Sequence, residues 1–237
     1  MRDPAATPLQ SQLELFSAEV LRWNERFSLI SRVEPEVRLP LLLDECRAAW
    51  DAYFGPETPI GAPGSLLYLD LGTGGGFPGL VWHLLFEACS RSDFARTLCF
   101  EPRDKRAWFL DHCARQIGSD RFFVTATPWN AKTPSAESLG FDLGVIERVV
   151  ISMKALRLTD EEVLAAWRRF AGPESSVQLE ILRFVGEGFE LDDSTVKDLL
   201  LPPAVHSPGL PGSKVQSFAA GDQPYGLLIS QYPPRND

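Results

Sequence analysis

Apolar residues recur at steps of three and four along the first 27 residues, which is the period of an amphipathic helix. The positions that share this apolar face are Leu13, Phe16, Val20, Trp23 and Phe27. Most of the remaining positions are polar, so one side of such a helix can pack while the other faces solvent. We therefore predict a helix that begins near residue 10 and buries this stripe in the core.

A second helix is predicted after Glu34-Pro35, with Val37, Leu41 and Cys46 facing inward. Proline suits the first turn of a helix, because its missing N–H would have no partner there. The stretch GPETPIGAPGS at 55–65 is rich in proline and glycine and is typical of a linker. The pattern thus predicts a helical extension over residues 1–55 and a larger domain over residues 56–237.

From residue 66 onward, short apolar runs alternate with helical patterns, which is typical of βα units around a mostly parallel sheet. Five strands are predicted, at 66–71, 96–101, 121–127, 141–147 and 176–184. Helices are predicted after Pro78, over 105–117 and over 160–170. Two further apolar runs, at 214–220 and 225–232, predict a terminal antiparallel hairpin. The expected fold class is therefore α/β.

The charge balance limits the partners of this chain. Its 237 residues include 23 Lys and Arg against 32 Asp and Glu, for a formal net charge of −9. Non-specific binding to phosphate backbones depends on a high density of Lys and Arg, so a general basic coat for nucleic acid is excluded and only local contacts remain. No apolar run approaches the ~18 residues of a membrane span, and the first residues lack the apolar core of a secretion signal. We expect a cytoplasmic protein without a membrane segment.

Cysteine and histidine usage gives no indication of a metal site. The four cysteines contain no CxxC pair, and the chain has only three histidines. A structural zinc site needs four clustered ligands, so no metal is predicted. Reduced thiols are expected, because disulfide frameworks belong mainly to small secreted domains.

The strongest chemical signal is the run DLGTGGGFPG at 70–79, between the first predicted strand and a helix. Glycine permits positive φ and close approach of a ligand to the backbone, and ligands bind in the first βα crevice of open α/β sheets. A tight turn without a ligand is the alternative, but each of the five glycines in this run costs roughly 0.5–1 kcal/mol of backbone entropy. The candidate binding residues are Asp70, Gly72, Thr73, Gly74, Gly76 and Phe77.

The spacing of the glycines separates two classes of nucleotide cofactor. A dinucleotide loop has the pattern GxGxxG, and Phe77 stands where its third glycine belongs, which disfavours an NAD-dependent oxidoreductase. The GxGxG pattern after Asp70 resembles motif I of the class I S-adenosylmethionine-dependent methyltransferases. In that class an acidic residue at the end of the second strand holds the ribose hydroxyls, and Glu101 is placed for this role. Trp129 and Asn130 follow the third strand, where the adenine lies in that class.

Several segments resemble the glucose-inhibited-division protein B family, the RsmG small-subunit rRNA guanine-N7 methyltransferases. The run GTGGGFPG at 72–79 matches the family's glycine loop, and Trp23-Asn24 matches a Trp-Asn in its first helix. Lys105 and Arg106 match a Lys-Arg pair that follows the second strand. The resemblance covers about residues 13–150 and implies a class I methyltransferase (Rossmann-like) fold with S-adenosylmethionine as cofactor. It implies small-subunit rRNA or a ribosomal particle as partner, and we expect a monomer.

The family's Ser-Arg-Ala at the end of the fourth strand is matched by Glu147-Arg148-Val149. The resemblance therefore implies that Arg148 is catalytic and holds the base or an adjacent phosphate, while Lys105 and Arg106 contact the RNA backbone. Solvated positions on a helix explain Lys105 and Arg106 about as well. An ordinary ion pair with Glu147 is the alternative for Arg148.

Two departures from the family concern the substrate. An Arg-His pair of the family is replaced by Pro40 and Leu41. The Lys-Gly after the fifth strand is missing, although Arg183 could supply the charge. These changes affect the methyl acceptor more than the cofactor. A methyltransferase with another substrate and a non-catalytic nucleotide-binding module therefore remain alternatives.

Overall fold

The structure is a computed structural model that describes residues 7–56, 58–154, 156–173, 175–185, 213–220 and 223–233. Its helices are α1 (Pro8–Phe27), α2 (Pro35–Phe54), α3 (Gly79–Ala88), α4 (Asp104–Ile117) and α5 (Asp160–Ala171). Its strands are β1 (Leu66–Leu71), β2 (Phe94–Phe100), β3 (Phe122–Thr125), β4 (Arg148–Met153), β5 (Gln178–Val185), β6 (Ser213–Ala220) and β7 (Gln223–Tyr232). Residues 186–212, for which the sequence pattern predicts no role, lie outside the described part of the chain.

The seven strands form one sheet in the order β3-β2-β1-β4-β5-β7-β6. β1 to β5 are parallel, and β7 is antiparallel to both β5 and β6. The α/β class and the C-terminal antiparallel hairpin predicted from the sequence are thus confirmed. The strand order reverses between β1 and β4, and in open sheets ligands bind at the carboxyl ends of the strands beside such a reversal.

Helices cover both faces of the sheet, as the unbroken burial of β1 requires. Leu66 and Tyr68 of β1 face a core cluster that also contains residues of α1, α2, α3 and α4. Leu67, Leu69 and Leu71 face a second cluster on the side of α5. The N-terminal helices therefore pack into the same core as α3 and α4.

The prediction that Val37 and Leu41 face inward was wrong. Both side chains are exposed, by 60% and 44%, and α2 instead buries Leu39 and Leu42 together with Cys46. The run LPLLL at 39–43 contains two overlapping stripes at helical spacing. Packing against α1, α3 and the hairpin selects one of them, and this tertiary choice is invisible in the local pattern.

The prediction of a fourth strand at 141–147 was also wrong. The backbone there folds into turns: the Gly144 N–H donates to the Asp142 carboxylate, and the Ile146 N–H donates to the Leu143 carbonyl. The strand is β4, whose residues 149–153 are all buried and which pairs with β1 along its whole length. Gly144 weakens the earlier run, because glycine loses the most entropy on extension and has no side chain to pack.

All four cysteines are free; Cys46, Cys99 and Cys113 are buried and Cys89 is exposed. Over the residues that the structure describes, no group of three or more His, Cys, Asp or Glu side chains is arranged to hold a metal ion. Within the same residues, no helix is both long and apolar enough to span a membrane.

Candidate functional site

The glycine loop at 72–79 connects the carboxyl end of β1 to α3, beside the reversal of strand order. Gly72, Gly74 and Gly76 have φ values of +67°, +59° and +97°. Residues that carry a side chain rarely adopt this left-handed backbone conformation, so the path of the loop itself requires glycine at these positions. The sequence prediction of a glycine-dependent turn is therefore confirmed in its backbone.

The glycines of the loop differ in what surrounds them. A Cβ atom at Gly75 would lie 2.8 Å from the Leu29 carbonyl oxygen, and one at Gly76 would lie 2.9 Å from Leu110. These glycines allow α1 and α4 to pack directly against the loop. A Cβ at Gly74 would lie 3.7 Å from the Arg106 guanidinium and 3.8 Å from the Gly72 carbonyl oxygen, so it would meet its neighbours at ordinary contact distance without a clash.

Asp70 supports the loop from below. Its Oδ2 accepts the Gly79 N–H at 2.9 Å and its Oδ1 accepts the Ser152 hydroxyl at 2.5 Å, while the Ser152 and Tyr68 hydroxyls are 2.7 Å apart. Burial raises the pKa of Asp70 to about 6, although the bonds from Ser152 and Gly79 oppose this. Asp70 is 1% exposed, and its bond to the Gly79 N–H holds the loop in shape.

Glu101 follows the last residue of β2 and bonds to the glycine loop at Gly74. Its Oε2 accepts the Gly74 N–H at 2.8 Å, and its Oε1 accepts the Arg103 N–H at 3.0 Å. Glu101 is 3% exposed, and each of its oxygens uses one of two lone-pair directions here, so each retains the capacity to accept one more hydrogen bond. The structure thus brings Glu101 to the loop, as the sequence predicts.

Thr73 and Phe77 are both buried. The Thr73 hydroxyl, the Asp70 carboxylate and the Cys99 sulfur all lie where a side chain at Gly79 would extend, so Gly79 must lack one. The Phe77 ring packs on Phe16 of α1, with centroids 5.3 Å apart. The prediction that Phe77 binds the cofactor is therefore corrected: its ring joins the loop to the N-terminal helix.

The sequence places Trp129 where the adenine lies in class I methyltransferases, but the structure places its side chain in the core. Trp129 is buried, its indole N–H donates to the Val163 carbonyl at 3.2 Å, and its ring packs edge-on against Phe100. It therefore belongs to the core beneath α5. Asn130 is exposed in the loop after β3, where its side-chain oxygen accepts the Lys132 N–H at 2.8 Å. A contact of Asn130 with the cofactor stays a prediction.

The prediction that Arg148 is catalytic was wrong, because Arg148 begins β4 instead of following a strand. It pairs with Leu66, the first residue of β1, at the amino ends of the parallel strands, and the glycine loop lies at their carboxyl ends. Its Nε lies 2.6 Å from Glu180, and it donates to the Tyr53 hydroxyl at 3.0 Å beside a cavity of about 770 Å³.

The three groups around Arg148 form a buried network. The Tyr53 hydroxyl donates to Glu180 at 2.5 Å, and burial together with the Glu180 charge raises the pKa of Tyr53. Burial alone would raise the pKa of Glu180, but the Arg148 charge and the Tyr53 hydrogen bond lower it overall. This network stabilises the amino edge of the sheet and is distant from the loop.

A residue that the sequence analysis missed, Lys154, occupies the position intended for Arg148. Lys154 directly follows β4, and β4 pairs with β1 so that Met153 lies opposite Leu71, the last residue before the glycine loop. Its ammonium group lies 2.6 Å from Glu45 of α2, a buried carboxylate. Moving the predicted strand seven residues along the chain would have found it.

Arg106 and Arg183 are engaged by the protein itself. The Arg106 guanidinium donates to the carbonyls of Phe27 and Ser28 at the end of α1, which corrects the prediction that it contacts RNA. Arg183 is buried and lies 2.6 Å from Asp160, so its charge does not replace the missing lysine of the family. Lys105 is exposed on α4, and a contact with RNA stays a prediction.

Comparisons with known proteins identify the family that this chain resembles. Residues 9–157 match the GidB family, described as rRNA small subunit methyltransferase G. Two proteins named ribosomal RNA small subunit methyltransferase G are each 29% identical to this chain. The alignment with the protein of Ruegeria pomeroyi covers 45% of this chain and 47% of that protein. The alignment with the protein of Rhodopseudomonas palustris covers 68% and 70%.

The chain therefore aligns with about half the length of the first of these relatives. Among solved structures, the N-terminal domain of human METTL16 superposes with a TM-score of 0.48 at 14% identity. That superposition covers 91% of this chain and 80% of the human domain.

Proposed function

The chain belongs to the GidB family, rRNA small subunit methyltransferase G, and on that premise we propose that it methylates N7 of a guanine in small-subunit rRNA with S-adenosylmethionine as donor. The observation that carries the proposal is the glycine loop at the reversal of strand order, with Glu101 bonded to the Gly74 N–H. A ribosomal substrate would place the protein in the cytoplasm, and we propose that it acts as a monomer.

The residues around the loop fit a nucleoside cofactor. The loop brings backbone N–H groups to the carboxyl end of β1 through positive φ at Gly72 and Gly74, and Glu101 keeps lone pairs for two ribose hydroxyls. Asp70 holds the loop in this shape through the Gly79 N–H. When bound, S-adenosylmethionine supplies a methyl group activated by a sulfonium.

Guanine N7 carries a lone pair exposed in the plane of the base, so no residue has to remove a proton from it. The chain therefore has to position the base and exclude water, and positioning contributes roughly 7–11 kcal/mol in well-oriented reactions. Lys154, at the carboxyl end of β4, is the cation proposed to hold the guanine or an adjacent phosphate. Leu156 packs against Gly72, with a methyl 3.3 Å from where a Cβ would stand, and shields that end of the loop.

Titration calorimetry tests the cofactor first. We expect S-adenosylhomocysteine to bind and NAD not to bind, because Phe77 fills the position at which a dinucleotide loop needs glycine. If neither ligand binds, the chain is a nucleotide-fold binding module without this activity.

Nucleoside analysis of small-subunit rRNA tests the acceptor. Cells that lack the protein should lose 7-methylguanosine from this rRNA, and the purified protein should restore it on free RNA or on particles from those cells. Unchanged 7-methylguanosine, together with tight cofactor binding, would instead indicate a methyltransferase with another acceptor. The replacement of the family's Arg-His by Pro40 and the exposed Leu41 makes this test decisive.

A further inference from the structure

α1 and α4 meet at the surface in a group of four rings, Trp23, Phe27, Trp108 and His112, called here the aromatic cluster. Trp23 stacks on Phe27 with centroids 5.1 Å apart, and Trp108 meets these two rings edge-on at 5.1 Å and 5.9 Å. Trp23 and Phe27 are partly buried, whereas Trp108 is 44% exposed. The aromatic cluster thus presents one large ring to solvent.

Trp108 is held in one orientation by its neighbours. The His112 ring lies parallel to it, with centroids 5.2 Å apart and 8° between the planes. His112 is 3.0 Å from Glu19, and the Trp23 indole N–H donates to the same carboxylate at 2.9 Å. The Trp108 ring is therefore held between His112 on one face and the edge-on contacts with Trp23 and Phe27, while 44% of the residue remains exposed to solvent. Fixed rings of this kind are the platforms on which unpaired bases stack.

Cationic side chains surround the aromatic cluster. The guanidinium groups of Arg22 and Arg26 each lie 5.6 Å from the centre of the Trp23 ring. Arg103 and Lys105 stand at the start of α4, one turn before Trp108. Arg26, Arg103 and Lys105 are exposed and form no ion pair with any residue that the structure describes. In a chain of net charge −9, a local group of unpaired cations is suited to a polyanion.

The aromatic cluster borders the glycine loop. Arg106 follows Lys105 in α4, and its guanidinium donates to the carbonyl of Phe27, a member of the cluster. The same guanidinium lies 3.7 Å from the position that a Cβ at Gly74 would occupy. Arg106 therefore connects the aromatic cluster to the glycine loop.

We propose that the aromatic cluster and its cations bind a single-stranded segment of RNA, with an unpaired base stacked on Trp108 and phosphates contacting Arg26, Arg103 and Lys105. The segment binds next to the target nucleotide, and this part of the proposal rests on the proposed function. Stacking requires a base that is not already paired in a helix, so duplex RNA should bind more weakly.

Fluorescence anisotropy with a short labelled single-stranded RNA tests the proposal. Trp108→Ala should weaken binding about tenfold, which is within the usual effect of removing one stacking ring, and Trp108→Phe should retain most of the affinity. The matched control is Phe123→Ala, because Phe123 is a 39% exposed ring on β3. Arg26→Glu with Lys105→Glu should lower the salt dependence by about two phosphate contacts, whereas Arg168→Glu with Arg169→Glu on α5 should not.

Equal RNA affinity of the Trp108→Ala and Phe123→Ala variants would overturn the proposal, as would tighter binding of duplex RNA. A polyglutamate chain that binds as well as RNA, and loses affinity in Trp108→Ala, would assign the surface to an acidic protein segment instead. S-adenosylhomocysteine affinity should be unchanged in all these variants. If RNA binding depends on Trp108 but no RNA is methylated, the proposed function fails while the surface stands. Normal methylation with an unchanged KM for RNA in Trp108→Ala would sink the surface alone.

Discussion

Glycine serves two separate purposes in the loop between β1 and α3. Gly75, Gly76 and Gly79 lack side chains because neighbouring protein atoms occupy the space, whereas a Cβ at Gly74 would meet its neighbours only at 3.7 Å or more, and its φ of +59° is the reason for glycine there. We propose that a ligand lies against the backbone at Gly74. The distinction makes Gly74 the position at which ligand binding and folding can be separated.

Gly74→Ala should weaken the binding of S-adenosylhomocysteine in calorimetry. The added methyl group costs roughly 1–2 kcal/mol in the left-handed conformation, and it also intrudes on the ligand face. Gly64→Ala is the matched control, because Gly64 has a φ of +71° and no atom within 4 Å of an added Cβ. Both variants should lose similar unfolding free energy. Equal affinities in the two variants would remove Gly74 from the binding face.

The raised pKa of Asp70 predicts a pH-dependent contribution to stability. Burial raises this pKa from 3.8 to about 6, so the folded protein binds the proton more tightly than the unfolded chain. The contribution is fully present below about pH 4 and is lost as the pH rises through about 6. Relative to Asp70→Asn, the wild-type unfolding free energy should fall by roughly 3 kcal/mol across this range, at about 1.4 kcal/mol per pKa unit. Urea unfolding at several pH values measures the difference, and parallel curves for the two proteins would contradict the pKa shift.

At the residue scale, the sequence predicts backbone requirements better than side-chain directions. The need for glycine at Gly72, Gly74 and Gly76 follows from local chemistry, and the backbone confirms it. Phe77 and Trp129 are equally conspicuous in the sequence, but each faces the core. An aromatic residue in a loop can pack inward or bind a ligand, and only the surrounding helices decide between these outcomes.

Two ion pairs link elements at opposite ends of strand β4. Lys154 joins the end of β4 to Glu45 of α2 near the glycine loop, and Arg148 joins the start of β4 to Glu180 of β5. Both carboxylates are buried. The two pairs therefore have similar structural roles, but only the first lies at the edge where ligands bind in such sheets.

Lys154→Met should lower the unfolding free energy by about 3 kcal/mol, because it leaves the buried Glu45 carboxylate without its partner. Adding Glu45→Gln should restore most of the stability without restoring methyl transfer. Arg148→Met is the control: it should cost similar stability and retain both turnover and cofactor affinity. Turnover and urea unfolding measured on the three variants test this. Full turnover in the Lys154→Met, Glu45→Gln double variant would exclude Lys154 from substrate binding.

At the element scale, the order and type of most helices and strands could be predicted. The exception is the fourth strand, and its wrong position led to a wrong choice of site residue. The run at 141–147 and β4 are adjacent apolar segments, and both satisfy a local strand pattern. What separates them is pairing with β1, a contact between residues about 80 positions apart. The carboxyl ends of parallel strands carry the site residues of such a sheet. The shift of seven residues therefore placed the expected cation, Arg148, at the amino end of β4 instead of its carboxyl end.

The N-terminal helix packs directly against the glycine loop and α4 in the folded molecule. Phe16 of α1 packs on Phe77, Leu29 contacts Gly75, and Arg106 bonds to carbonyls at the end of α1. Binding at the loop should therefore restrict α1 as well. The boundary predicted near residue 55 separates segments of sequence, but the core cluster on this face of the sheet includes both.

Hydrogen exchange should show this coupling. With S-adenosylhomocysteine at about 100 times its Kd, global stability should rise by about 2.7 kcal/mol, and local opening of α1 should be suppressed in addition. The β6–β7 hairpin at the far edge of the sheet serves as the internal control, because it should gain only the global effect. If α1 gains no more protection than the hairpin, the helix and the loop move independently.

The different burial of the cysteines allows unfolding to be followed by thiol labelling. Burial raises the pKa of Cys46 to about 12 and also raises that of Cys99, so these thiols react only after the chain opens. Cys89 at the end of α3 is accessible from the start. A dye coupled there marks the native protein once, and any increase in the number of labels per molecule counts chains that have unfolded.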